Sequence, residues 1–575
     1  MTFAPASSGA RSYGQGDGTV SAPGSAAGSA YGSQPAPRRS VWRWLLLPWI
    51  LLSVLGALWA LATPIGGSPD EPAHVVKAGS VVRGELLPSE MIPSGGVLHV
   101  PAALAYEYSQ GCFAFFADVS AACAPAFTGD PNEIVESYSA ASLYNPVYYW
   151  MVGWPTLIAP DYTGIYAMRI VSAVLTAFFL AATFWMIGAW RSHRLPTLAV
   201  MAAITPIVLY LMGTVNPNTL EFTAGLALFA GMLGIVLQPD PRLLDSRLTM
   251  VVIAAALVCN TRGISPLWVA VLLVLPLILL TGRELGALLK RPGVIISILL
   301  IALGAVASIG WTLSSNSLGT GPSATPDVVS EAPGVGLTPV EGFFAMIGQF
   351  YLQARQMVGI LGWLDTPLHP TVYFVTYALV GLLALGTIIW VRGRKLVFVI
   401  ALGLAFFFLP PFIQSFYVTK GGLIWQGRYT LILAMALLLG MAACIAASPR
   451  FLRWTRGRWV LTVVAVLAGA AWTYAVAYSF QTTMRRFAVG YENEWAQVAD
   501  PGAWVPPLGA IPLTIAFAVT AALFALWVVL GGHDRRRSTL QPATPMAFPG
   551  DPYGLQTPPP SAGRHPLDPA FPTRI

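Results

Sequence analysis

Leu143-Tyr-Asn-Pro-Val-Tyr-Tyr-Trp-Met-Val-Gly-Trp-Pro-Thr-Leu-Ile-Ala-Pro160 is apolar enough to be taken for a membrane span, and whether it crosses decides the sidedness of everything after it. Treated as non-spanning, it gathers Arg38, Arg39, Arg43, Arg191, Arg194, Arg242, Arg247, Arg283, Lys290, Arg291, Arg392, Arg394, Lys395, Arg450, Arg453, Arg456, Arg458 and Arg535–Arg537 on one side. That is 20 of the 32 Lys and Arg, and 18 of the 25 Asp and Glu fall on the other side. Treated as a span, it inverts every later loop and puts the basic clusters outside, against the excess of Lys and Arg in cytoplasmic loops. Pro146, Pro155 and Pro160 also interrupt its helical ladder. The stretch is therefore expected to be a re-entrant or surface-lying helix.

Outward from it, apolar runs recur near 42–62, 164–190, 195–213, 219–237, 247–260, 264–281, 293–313, 371–391, 395–416, 429–447, 459–480 and 510–531. Each approaches the length that a bilayer crossing needs. The expected fold is an all-α polytopic membrane protein of about 12 transmembrane helices, with both termini cytoplasmic and the first run a retained signal anchor. Composition agrees: 55% of residues are hydrophobic and 10% charged, against about a quarter charged in soluble domains. The net charge of +7 sits in short loops between apolar runs, which marks topology and argues against nucleic-acid binding. Residues 1–40 and the Pro-rich 532–575 are expected to be disordered cytoplasmic tails flanking a membrane domain at 41–531. Four segments face outward: 63–163, 314–370, 417–428 and 481–509. No internal repeat is visible, which removes one support for a transporter built from inverted repeats.

Polar chemistry gathers in those outer segments. Ser68-Pro69-Asp70-Glu71-Pro72-Ala73-His74, with Lys77 three residues on, sets two carboxylates where the first helix emerges. It reads either as a solvated acidic turn or as a general base or metal ligand beside a histidine and a lysine. Tyr144-Asn145-Pro146-Val147-Tyr148-Tyr149 opens the non-spanning helix and reads as a binding element or an interfacial aromatic belt. In Asn216-Pro217-Asn218-Thr219-Leu220-Glu221, Asn218 or Thr219 is expected to cap the next helix, with Glu221 in its first turn. Trp425-Gln426-Gly427-Arg428-Tyr429 offers a forked contact to a lipid phosphate, or an interfacial anchor. Arg169, Arg262, Arg355 and Asp365 are ionisable groups at or within the outer membrane boundary, functional candidates by their depth. Cys259 and Cys444 read as packing residues, while Cys112 and Cys123, enclosing ten residues in the long outer loop, are expected to form a disulfide.

In this order the motifs resemble a bacterial family of predicted membrane proteins of unknown function in the GT-C glycosyltransferase superfamily, over roughly residues 42–530. Pro-Asp-Glu-Pro-Ala-His is the most specific element. The resemblance implies an enzyme of the bacterial cytoplasmic membrane that takes a sugar from a polyprenyl-phosphate donor outside the cytoplasm, to an envelope glycan, lipid or protein. It implies Asp70 as base, or as ligand of a divalent metal such as Mg or Mn, and Glu71 as its helper. Asn145 and Pro146 stand where protein mannosyltransferase and aminoarabinose transferase relatives carry a His/Lys-Pro-Pro motif, a departure that leaves the sugar open. Arg428 with Tyr429 would bind the donor phosphate. Glu221 stands near the superfamily's second acidic position, without an Asp-x-Asp or Asp-Asn-Glu. His74, Lys77, Asn145, Asn218, Glu221, Arg355 and Gln426 complete the candidate substrate-binding set.

The competing reading is a lipid-linked sugar transporter or a non-enzymatic envelope-assembly protein. The carboxylates lie at helix ends rather than at mid-membrane depth, which favours the enzyme. On that reading Asp70 and Arg428 flank one outer cavity, with side chains roughly 6–14 Å apart to admit a sugar and its phosphate.

Overall fold

The computed structural model describes residues 40–317, 332–455 and 459–531. The expected tails, Arg38 and Arg39, Arg456 and Arg458, and Arg535–Arg537 lie outside the described residues. Nine helices among the described residues are long and apolar enough to cross a membrane, and ten if one bent pair counts as a single span. All twelve expected segments are helical, but two fall short of a full crossing. The 247–260 run is Leu244–Cys259, 16 residues long. The 264–281 run is Ser265–Val274 followed by the tighter turn Leu275–Leu279, against about twenty residues for a crossing. The two are consecutive, so their shortness leaves the sidedness of later segments unchanged.

Pro217–Leu237 and the helix ending at Ala446 form the enclosed centre of the bundle. Pro292–Ser314, Pro370–Trp390 and Arg394–Ser415 instead expose apolar side chains such as Leu303, Phe374 and Leu404. A helix that is apolar all round and stays uncovered faces lipid. The 195–213 segment is broken: Arg194–Ala203 and Pro206–Met212 meet at 69°. The break exposes backbone groups, and the neighbours satisfy them. The Ile204 carbonyl accepts from Trp472 Nε1 at 2.7 Å, and the Thr205 side-chain hydroxyl ties the break to its neighbour by donating to the Met357 carbonyl at 2.8 Å.

The Leu143–Pro160 stretch does not cross. It holds the seven-residue helix Val147–Gly153 and the turn Trp154–Leu157, about 20 Å end to end against a core of about 30 Å. Tyr148, Tyr149 and Val152 are buried while Trp150, Trp154 and Ile158 are exposed, so the helix lies on the protein surface. Gly153 lets it close on helix Glu71–Val81, since a Cβ there would sit 2.6 Å from the Ala78 carbonyl oxygen.

The long segment after the first helix also contains an antiparallel sheet, β1 (Glu90–Ile92), β2 (Gly95–Pro101) and β3 (Ile134–Ser139), which the sequence reading did not place. β2 is central, pairing Met91 with Gly96 and Leu98 with Ser137. Its Leu98 and Val100 are buried and His99 is exposed, the alternation of a strand covered on one face. Cys112 and Cys123 are joined in a disulfide, their Cα atoms 6.2 Å apart. Arg486, near the end of helix Val460–Val489, fastens this segment to two others. Its guanidinium donates to the carbonyls of Phe113, Phe116 and Val119 at 2.7, 3.1 and 2.8 Å and to the Asp365 carboxylate at 2.7 Å.

Candidate functional site

The site grows from the turn Ser68–Asp70. Asp70 caps helix Glu71–Val81 in a left-handed conformation, φ 66°, which costs energy for a residue with a Cβ. An aspartate at that position ordinarily accepts from the amide two or three residues on. Here Pro72 removes the nearer amide, and the side chain makes no cap bond. The carboxylate turns instead to the Arg428 guanidinium, 358 residues away, and forms a direct ion pair with it. The expected gap for a sugar between the two is thus closed: the left-handed turn aims the carboxylate at the arginine, and opposite charges attract across this short distance. Burial pushes the Asp70 carboxyl up, but the guanidinium charges of Arg428 and Arg262 and the hydrogen bond from Arg428 outweigh it and hold it below the usual carboxylate range.

Arg428 is itself buried, with Nε and Nη1 unpartnered among the described residues. Its position follows from Gly427. The Gly427 amide donates to Gln356 Oε1 at 2.7 Å, and a Cβ there would strike the Gln353 carbonyl. The Tyr429 ring is shared by two cations: Arg428 lies 5.3 Å and Arg262 4.3 Å from its centroid. Arg262 comes from the short turn between Leu244–Cys259 and Ser265–Val274, and its Nη1 is 4.0 Å from Glu221. Arg262, Tyr144, Asn145, Trp425 and Tyr429 line a cavity of about 220 Å³ beside the Asp70–Arg428 pair.

The Tyr-Tyr element braces this wall. Tyr148 bonds Ser172 at 3.0 Å and accepts from the Asn216 amide at 2.9 Å. Tyr149 bonds His74 Nδ1 at 2.8 Å. His74 is buried; desolvation, with Arg428 and Arg262 adding to it against Asp70, drives its pKa down to about 3 and keeps the imidazole neutral. Asn145 donates to Asn260 Oδ1 at 2.8 Å and accepts from the Val147 amide at 3.1 Å.

The sequence-selected residues divide. Asp70, His74, Asn145, Glu221, Gln426, Arg428 and Tyr429 lie in this cluster or immediately against it. Glu71 does not share the cavity. It is fully enclosed, its oxygens 2.8 and 2.6 Å from Arg169 and 2.9 Å from the Val215 amide, so it is fixed as a structural partner. Lys77 is a correction: the whole helix Glu71–Val81 is buried, and two turns in its ammonium can only donate to the Leu86 and Ser142 carbonyls, at 2.6 and 2.5 Å. Arg355 is another, because its side of helix Phe350–Gly359 meets the Tyr373 ring, 4.9 Å from its centroid, rather than the cavity. Asn218 does not cap its helix. Asn216 does, accepting from the Asn218 amide at 3.0 Å, and the Asn218 Oδ1 is buried without a partner among the described residues. Glu221 is beyond the first turn, where it accepts from the Ser265 hydroxyl.

A divalent metal does not fit the donor set at Asp70. The described residues hold no group of three or more His, Cys, Asp or Glu arranged for one. Asp70's neighbours are two guanidinium groups and a histidine already bonded to Tyr149. Arg262 is the residue that motif reading left out of the site; its depth at the membrane boundary was the one signal.

A family model described as "Predicted membrane protein (DUF2142)" matches residues 52–439. The chain belongs to that family. For this DUF2142 member, the comparison with curated proteins gave no match. Among solved structures it is similar to ArnT from Cupriavidus metallidurans bound to undecaprenyl phosphate, at 14% identity and a TM-score of 0.36, covering 86% of this chain and 77% of that one. The matched region takes in Asp70, Asn145, Glu221, Arg262 and Arg428.

Proposed function

We propose that this DUF2142 protein is an inverting GT-C-type glycosyltransferase that moves a sugar from a polyprenyl-phosphate donor to an envelope glycan, lipid or protein acceptor on the outer face of the cytoplasmic membrane. The observation that carries the reading is the Asp70–Arg428 pair beside a polar, aromatic cavity that holds a second arginine, Arg262. Support also comes from the motif order, whose Asp-Glu, Asn-Pro-x-x-Tyr-Tyr and Gln-Gly-Arg-Tyr elements converge here from far-apart segments.

The pairing suggests how the base is switched on. While Arg428 holds Asp70, the carboxylate is ionised but weakly basic. A donor phosphate competes for the same guanidinium, whose buried Nε and Nη1 are unpartnered among the described residues, and Arg262 lining the cavity adds a second cation. Asp70, relieved of its partner, regains basicity and accepts the proton of an acceptor hydroxyl. The acceptor oxygen bonds to the anomeric carbon as the carbon–phosphate oxygen bond breaks. The electron pair leaves with the polyprenyl phosphate, whose charge the arginines stabilise. One displacement inverts the anomeric centre.

Mass spectrometry of polyprenyl-phosphate sugars and envelope glycans tests this, comparing cells with wild-type chain, without it, and with Asp70→Asn. The expected result is a loaded donor that accumulates and a glycan that lacks one sugar, in the null and the variant alike. Normal glycan with Asp70→Asn overturns the enzyme and leaves transport or assembly. The sidedness is checked separately: a membrane-impermeant thiol reagent should label a cysteine at Ser89 and not one at Ser192.

A further inference from the structure

At the opposite end of the bundle from Asp70, the chain gathers five cations around one cavity. Arg392, Arg394, Lys395, Arg450 and Arg453 line it, with Trp390 on its wall. Its volume is about 490 Å³, within the range of small-molecule sites. Leu237 and Leu279 add apolar surface, and no acidic side chain is among its lining residues.

Topology alone places cations in these loops, but it does not require them to converge on a hollow. Two of them are fixed there by the backbone. Arg392 Nη1 donates to the Ile388 and Val391 carbonyls at 2.6 and 2.7 Å, closing the end of helix Pro370–Trp390. Lys395 Nζ donates to the Ala447 carbonyl at 2.7 Å and so bridges to the end of the central helix, while the Ser448 hydroxyl donates to the Trp390 carbonyl at 2.8 Å. Arg394, Arg450 and Arg453 form no ion pair among the described residues. Glu284, whose charge Arg394 feels, is turned to its own helix cap at Thr281.

Bringing like charges together without a counter-charge costs free energy that a bound anion would recover. The apolar and indole surface beside the cations sits at helix ends, at membrane-boundary depth, where an amphiphile can lay its chain while its phosphate meets the guanidinium groups. We infer that this cavity binds the phosphate headgroup of an anionic lipid from the leaflet at the basic face. It is a second ligand site, separate from the one beside Asp70 and independent of the proposed transfer reaction.

The test uses the full-length protein in non-ionic detergent, with lipid adducts read by native mass spectrometry. Dioleoyl phosphatidylglycerol should be retained in preference to dioleoyl phosphatidylcholine. Arg450→Gln with Arg453→Gln should lower the apparent affinity by about fivefold per charge removed. If the double variant cannot be purified, Arg453→Gln alone carries the same test, since Arg453 is exposed at the rim. Equal retention of the two lipids, or variants that bind like wild type, overturns the site. Displacement of phosphatidylglycerol by inorganic pyrophosphate would keep the phosphate chemistry and overturn the lipid as its source.

Discussion

Asp70 and Glu71 are adjacent, and each pairs with an arginine from a distant helix, yet their surroundings differ in every respect that matters. Glu71 and Arg169 are both fully enclosed, and the contact is forked, at 2.8 and 2.6 Å. Arg169 also donates to the carbonyls of Ala60, Thr63 and Pro64, so its donors are satisfied. Glu107 stands nearby, its pKa raised well above the ordinary value chiefly by burial, with the Glu71 charge adding to it. Asp70 is 48% exposed, meets its arginine through one nitrogen, and leaves two donors of Arg428 unpartnered. One pair is complete without a ligand. The other keeps hydrogen-bonding capacity in reserve beside a cavity. Two salt bridges from adjacent residues thus differ in whether their donors are satisfied, and that count separates them.

The largest effect should come from breaking the enclosed pair. Glu71→Ala strands the Arg169 charge in the interior and should cost about 3–5 kcal/mol, read as lost folded yield and a lower melting temperature in detergent. Glu71→Leu with Arg169→Met should recover much of that loss, because no unpaired charge remains. Asp70→Asn should do the reverse: melting changes less, since Asp70 is half exposed and the isosteric amide oxygen can still accept from Arg428, while transfer falls by about 10²–10⁴-fold. Equal damage to stability from Glu71→Ala and Asp70→Asn would erase the distinction. Arg428→Lys keeps the charge and loses the fork, so donor use should weaken roughly tenfold, the worth of one charge-assisted contact. Normal turnover in Arg428→Ala would reduce Arg428 to an interfacial anchor.

A further effect is a slope in pH. His74 has a folded-state pKa near 3 against an ordinary 6.5, so between those values the unfolded chain binds the extra proton. Stability should therefore fall as pH drops below about 6.5, by on the order of 2 kcal/mol at about pH 5. Asp70, whose folded pKa is depressed, adds its own loss only when pH falls below the ordinary carboxylate range. His74→Gln should flatten the upper part of the melting-temperature profile and leave the more acidic part in place.

The positions of the helices were legible because hydropathy reports burial in lipid directly, and the non-spanning stretch was legible because charge reports sidedness. Convergence of Asp70 with Arg428 followed from putting both at one membrane surface. What each neighbouring carboxylate faces was not legible. That depends on one left-handed residue at the helix start, which sends Asp70 one way and Glu71 the other. The fate of Lys77 was hidden for a related reason, since a helix outside the membrane reads as solvated until its covering strands and the Val147–Gly153 helix are in place. The pair of short helices kept the form of spans because composition does not record where a helix stops. Arg262, in a turn of five residues between them, belongs to no motif.

The Arg486 fastening has a consequence for how the chain is made. Its contact with Phe113 joins residues 373 positions apart. A ribosome adding about 5–20 residues per second needs roughly 20–75 s to cover that distance. For that interval the carbonyls at Phe113, Phe116 and Val119 have no guanidinium to meet, although the segment carrying Asp70 has long since been synthesised. A nascent chain halted before Arg486 would carry every motif of the candidate site and lack the bolt that holds the long segment after the first helix against the bundle.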